Sequence, residues 1–254
     1  MEKFSVEQVE SIAVLTIKAG RANAMDRECL DAIAQAFGRA EADEVRGVVL
    51  TGYDRFFSAG LDLIALYDYD RRQMAAFLER FNRTMLQVFA FPKPVVAAVN
   101  GHAIAAGCIL ALACDVRMMV KEGAMLGLNE WRLGLSVPAV ALEIARFSLP
   151  EAHRAEALSL GKLYPPKEAK GLGFVQELLP RDQLLPRAVA LAKEYAEPSV
   201  QAYGEIKAAL RRPFVQRAEA ALTGGRDRFL EFWFAPEARE AIGQARAELL
   251  AKKR

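Results

Sequence analysis

The sequence predicts an α/β fold with parallel strands, and three observations carry this. Short apolar runs rich in β-branched residues, at 45–51 and 95–99, have the length of strands buried on both faces. Longer segments between them, at 27–40 and 70–89, repeat apolar residues at helical spacing. The stretch from Pro94 to Asp115 joins one of these strands to an uncharged helix through a turn. Strands that alternate with helices need crossover connections, and crossovers give parallel pairing.

In chain order, Phe4 to Val9 and Ile12 to Ile17 alternate as a β-hairpin turning at Glu10 and Ser11. Arg21 to Met25 is a polar loop. Asp26 is placed to cap a helix from Arg27 to about Ala40, whose apolar stripe is Cys29, Leu30, Ile33, Ala34 and Phe37. Val45 to Thr51 is a buried strand and Gly52 to Gly60 a loop. Asp62 caps a short helix. A long helix over Asp70 to Phe89 turns Met74, Phe77, Leu78, Phe81, Met85 and Val88 inward, and Pro92 and Pro94 stop it. Val95 to Val99 is a strand that Asn100 and Gly101 break. Small residues from Ala103 to Gly107 lead into a buried helix, with Cys108, Leu112 and Asp115 at helical spacing. Val116 to Val120 is a strand, and 124–135 is an irregular region holding one carboxylate, Glu130.

Helices are then expected over 140–147 and 152–160. A short helix starts at Pro165 and Pro166 and ends at Gly171, and a last strand covers Phe174 to Leu178. From Asp182 onward the pattern is helical, broken near Pro198, Pro213 and Pro236. Phe229, Phe232, Trp233 and Phe234 cluster in this tail. They either fill its own core or pack on a neighbouring subunit.

Bulk properties narrow the function. The chain has 254 residues, 53% of them apolar, enough for a sizeable core. A net charge of +2, with scattered basic residues, argues against nucleic acid as a partner. No apolar run reaches the length of a membrane span, since Asn100, Gly101 and His102 interrupt the longest. Cys29, Cys108 and Cys114 sit in apolar patterns without metal-site spacing. They read as reduced core residues of a cytoplasmic protein. With two histidines and no phosphate-binding glycine loop, neither a His-rich metal site nor a dinucleotide site is expected.

Chemistry has two candidate junctions. FSAGLDL, at Phe57 to Leu63, follows a buried strand and turns on small residues, leaving backbone N–H groups free to face a ligand. The Ala105–Ala106–Gly107 junction opens the buried helix, where the first N–H groups have no intrahelical partner. Converging amides from the two would make an oxyanion hole; close helix packing is the other use of such small residues. Glu130 is the best single acid or base. Its apolar neighbours favour a raised pKa if it is buried, and it is a plain solvated carboxylate if it is not. His102 and Asp115 read as structural, and Ser58 has no His–Asp partnership that would make it a hydrolase nucleophile.

Taken as an ordered set, RANAM, FSAGLDL, the block from Pro92 through NGHAIAAGC to Asp115, and GLNEWRLGL at Gly127 to Leu135 resemble the crotonase, or enoyl-CoA hydratase/isomerase, family over nearly the whole chain. The resemblance implies a spiral of ββα units over residues 1–195. A helical region over 196–254 is then expected to build trimers, often paired into hexamers. It implies an acyl-CoA substrate that carries its own coenzyme A, with no further cofactor and no metal. The enolate oxygen would be held by the amides of Leu61 and Ala106. Ser58, Ala59, Gly60, Leu61, Asp62, Leu63 and Ile64 would help hold the bent coenzyme, with Ala22 and Ala24 flanking its nucleotide. Met74, Phe77, Phe81 and residues around Leu66 would shape the acyl tunnel.

The chain departs from the family pattern at one position. Hydratases of the family use two glutamates; here the first falls on Ile109 and the second is Glu130. One base suffices for a 1,3-proton shift. The combination of FSAGLDL, an aliphatic residue in place of the first glutamate, and GLNE followed by LGL is most similar to the mitochondrial-type Δ3,Δ2-enoyl-CoA isomerases. Another crotonase reaction (hydration, hydrolysis or decarboxylation) and acyl-CoA binding without turnover are the alternatives.

Overall fold

Strands and helices alternate as expected, but the strands divide between two sheets. In a computed structural model, residues 3–20, 22–224 and 228–251 are described; Arg21 of the RANAM loop lies outside them. Strands and helices are numbered separately along the chain. The larger sheet has the order β1 (Phe4–Val9), β2 (Ile12–Ile17), β3 (Gly47–Thr51), β5 (Val95–Val99), β7 (Val116–Val120) and β9 (Glu177–Leu179). β1 and β2 form the antiparallel hairpin, and all later neighbours pair in parallel. A second parallel sheet joins β4 (Phe56–Ser58), β6 (His102–Ile104) and β8 (Leu126–Gly127). Each short strand directly follows a strand of the large sheet, so a strand–strand–helix unit recurs along the chain.

The first three helices begin where the sequence provides acceptors for their free N–H groups. Asp26 caps α1 (Arg27–Arg39) by accepting from the Cys29 amide at 2.8 Å. Asp62 caps α2 (Leu63–Leu66), and Asp70 and Gln73 form a reciprocal box at the start of α3 (Arg71–Phe89). Such caps are each worth about 1 kcal/mol. α4 (Ala106–Ala113) is buried at every position. A 3-10 turn spans Glu130–Leu133, and α5 (Ala139–Ser148), α6 (Glu151–Ser159) and α7 (Pro166–Gly171) follow. The remaining helices are α8 (Arg181–Ala196), α9 (Val200–Thr223), α10 (Phe229–Trp233) and α11 (Pro236–Ala251). β3 and β5 are buried throughout, and α8 packs on both. Among the described residues no helix is long and apolar enough to cross a membrane.

Several boundaries shift by one or two residues from the sequence expectation, β3 beginning at Gly47 for instance, and two differences are larger. The last strand is Glu177–Leu179, while Phe174 and Val175 are buried outside it. α9 runs unbroken through Pro213. The carbonyl that loses its partner there belongs to Ala209, on the exposed side of the helix, where it is open to solvent. α9 is tied to the core by Asp115, whose carboxylate accepts from the Val95 amide at 2.7 Å and pairs with Lys207 at 2.8 Å and Arg211 at 2.7 Å. The Arg211 guanidinium also stacks on Phe89, 4.3 Å from its centroid.

Candidate active site

The loop after β4 is shaped by bonds to the segment 22–25. The Ala59 amide donates to the Ala22 carbonyl at 3.0 Å, Met25 to Gly60 at 2.7 Å and Asp62 to Met25 at 3.0 Å. Leu61 falls between these bonded positions, so its own N–H lies on the opposite edge and has no hydrogen bond. Ala106 is the first residue of α4, where an N–H has no acceptor one turn back. The residue before it, Ala105, has φ 50° and ψ −121°, a strained conformation for a residue with a Cβ. Both Leu61 and Ala106 line the same cleft.

The two junctions meet backbone to backbone, which only glycine permits. A Cβ on Gly60, whose φ is +88°, would lie 2.8 Å from the Ile104 carbonyl oxygen and 3.2 Å from the Ala106 nitrogen. One on Gly107 would lie 2.2 Å from the Ser58 carbonyl oxygen. The glycines thus bring two unpaired amides to one place, an arrangement suited to a developing oxyanion.

Glu130 faces the same cleft from the 3-10 turn. It is 8% exposed, and its Oε2 is buried without a hydrogen-bond partner. Burial pushes its pKa from 4.5 up to about 7. Glu130 is therefore a buried acid–base group and not a solvated loop carboxylate. Among the described residues lining the cleft it is the only ionisable one. Ile109, on the first turn of α4, lines the same space and is 1% exposed.

Several other expected residues take more specific places. Ala59 and Leu63 line the cleft. Ser58 is fully buried. Its hydroxyl donates to the Asn23 carbonyl at 2.7 Å and accepts from the Gly60 amide at 3.2 Å, so it shapes the loop and offers no surface to a ligand. Gly60 is buried too, and Asp62 is occupied in capping α2. Ala22, Ala24 and Ile64 are half-buried nearby, outside the cleft wall. Of the inward face of α3, Leu78 and Phe81 reach the cleft, whereas Met74 and Phe77 are buried elsewhere. His102 accepts from the Met125 amide at 3.1 Å, a structural bond as expected. The sequence reading misses Ala141 and Phe229, which complete the inner wall. Phe229 and Trp233 are buried within the chain's own core. Only the aromatic clustering of the tail hinted at this, and clustering does not say which ring meets a distant loop.

A spiral of ββα units followed by C-terminal helices is the fold of the crotonase class of proteins. The profile of the enoyl-CoA hydratase/isomerase family matches residues 7–245, and the chain belongs to that family. It is 38% identical, over 70% of its length and 71% of the relative's, to a putative enoyl-CoA hydratase of Thermus thermophilus. It is 33% identical to enoyl-CoA delta isomerase 1 of Mus musculus, over 70% of the chain and 62% of the relative. The crystal structure of human mitochondrial Δ3-Δ2-enoyl-CoA isomerase superposes with a TM-score of 0.93 at 27% identity, covering 99% of this chain and all of that one.

Proposed function

We propose that the protein is a Δ3,Δ2-enoyl-CoA isomerase, moving the double bond of a 3-enoyl thioester to the 2-trans position. The observation that carries this reading is that, among the described residues, Glu130 is the one ionisable group in a mostly apolar cleft that Ile109 also lines. As a carboxylate, Glu130 removes a proton from C2. The C–H electron pair moves into the thioester, and the oxygen gains charge as a dienolate. The amides of Leu61 and Ala106 hold that charge, each such donor being worth roughly 3 to 4 kcal/mol in comparable sites. Glu130 then returns the proton to C4, which leaves the double bond between C2 and C3. The scheme needs no cofactor beyond the coenzyme A of the substrate. Hydration, by contrast, requires an oriented, activated water as well as a proton donor, and Ile109 supplies neither.

A product assay tests the proposal. The protein is incubated separately with 3-enoyl-CoA and 2-enoyl-CoA, and the thioesters are resolved by chromatography. The expected result is 2-enoyl-CoA from the first and no hydroxyacyl-CoA from the second. Hydroxyacyl-CoA, or free acid from hydrolysis, would overturn the assignment. The working unit is proposed to be a homotrimer, alone or paired into a hexamer, as the family resemblance implies. Exposed apolar residues one turn apart on α9, Ile206 and Leu210, support a buried subunit interface.

A further inference from the structure

The residues that line the cleft beside the amides and Glu130 fall into two groups by exposure. One is formed by half-buried residues of the loop after β4, Ala59, Leu61 and Leu63. The other is formed by Phe81 of α3, Ala141 of α5 and Phe229 of α10, which are 2%, 1% and 1% exposed. A nucleotide-bearing coenzyme needs the solvated group, so a thioester held at the amides sends its hydrocarbon toward the apolar, buried one.

Phe229 differs from the other two walls in its origin. It is carried by a five-residue helix in the C-terminal region that packs against α3 and α11. Within α10 its ring lies 6.0 Å from that of the fully buried Trp233. Beyond α10, α11 is latched to the residues that end α2. The Arg239 guanidinium lies 3.8 Å from the Tyr67 ring centroid and donates to the Tyr67 carbonyl at 2.9 Å. Arg246 donates to Asp68 at 2.6 Å. A buried ring on a helix so restrained is a stiff stop for a hydrocarbon chain.

We propose that Phe229 is the specificity-determining residue that sets the acyl-chain limit. The proposal rests on the acyl-CoA reading above. Saturated acyl-CoA thioesters, from butyryl through octanoyl and dodecanoyl to hexadecanoyl, bind without a double bond to move, so titration calorimetry separates length from chemistry. For the parent, affinity is expected to tighten by about fourfold per methylene while methylenes are being buried. It should then stop rising at a defined length. Phe229→Ala should move that limit to longer chains by several methylenes, because removing the ring opens that room, and Phe229→Leu by about one, which single-carbon steps in chain length around the limit resolve. Phe229→Leu retains most of the buried volume and carries the test if thermal melts show Phe229→Ala unfolded. An unchanged limit in a folded variant overturns the assignment and leaves the isomerase reading intact. A parent that binds no acyl-CoA of any length overturns the acyl-CoA reading and this proposal with it.

Discussion

Glu130 owes its pKa of about 7 to burial, and the same burial ties activity to stability through pH. The proposed base works as a carboxylate, so kcat/KM is expected to fall as pH drops through about 7. Stability runs the other way. The folded-state pKa is raised above 4.5, so the contribution from holding the proton is full below about 4.5 and is lost as pH rises through 7. Glu130→Gln should therefore lose isomerase activity by about 10²- to 10⁴-fold. It should also be more stable than the parent at alkaline pH, by up to about 3 kcal/mol, with the gap closing in acid. Denaturant melts across the pH range measure this; a gap that widens in acid would contradict it. At Ile109 the expected outcome of Ile109→Glu is a gain of hydroxyacyl-CoA formation from 2-enoyl-CoA. Loss of isomerisation in that folded variant, with no hydration, would show that more than a missing acid separates the two reactions. The identity of Glu130 was legible in the sequence, but its burial was not. Leu78, Phe81, Ala141 and Phe229 enclose the cleft from three helices that no local pattern assigns to it.

Among the elements, the long ones were readable because they announce their ends. Asp26 and Asp62 each cap the helix that follows, as the sequence implies, and Asp70, read as the first residue of its helix, is a cap too. β4, β6 and β8 were not readable, because two or three residues hold too little alternation to reveal a strand. Pro213 was read as a break because proline removes an amide, yet an exposed helix face leaves the freed carbonyl to water. The junction of β4 with α4 is sensitive to size. Gly107→Ala would press a methyl group against the Ser58 carbonyl and is expected to cost about 1–3 kcal/mol. Activity should fall with it, as the two amides move apart. Gly38→Ala in α1, where a Cβ meets nothing within 4 Å, should instead stabilise by about 0.5–1 kcal/mol. Paired urea melts and initial rates distinguish the two sites, and equal effects would refute the packing account.

For the whole molecule, the sequential blocks made the spiral and the place of the two junctions legible. The long-range ties were not. Asp115 reads as a local anchor, yet its cations Lys207 and Arg211 lie 92 and 96 residues away on α9. That clamp fixes α9 and so the presentation of Ile206 and Leu210, which are 63% and 60% exposed. Sedimentation is expected to give three or six times the 28.0 kDa chain mass. The double variant Ile206→Glu with Leu210→Glu should shift it toward the single chain. An unchanged mass would place the interface elsewhere.

The meeting of Gly60 and Gly107 with opposing main chain has a consequence for heredity. If the proposed donors are main-chain amides, the codons for Leu61 and Ala106 can drift among many residues without deleting them. The neighbouring glycine codons carry the constraint. In a saturation scan, the intolerant columns should be those of residues that touch no substrate, and a survey of reactive side chains would overlook half of the machinery.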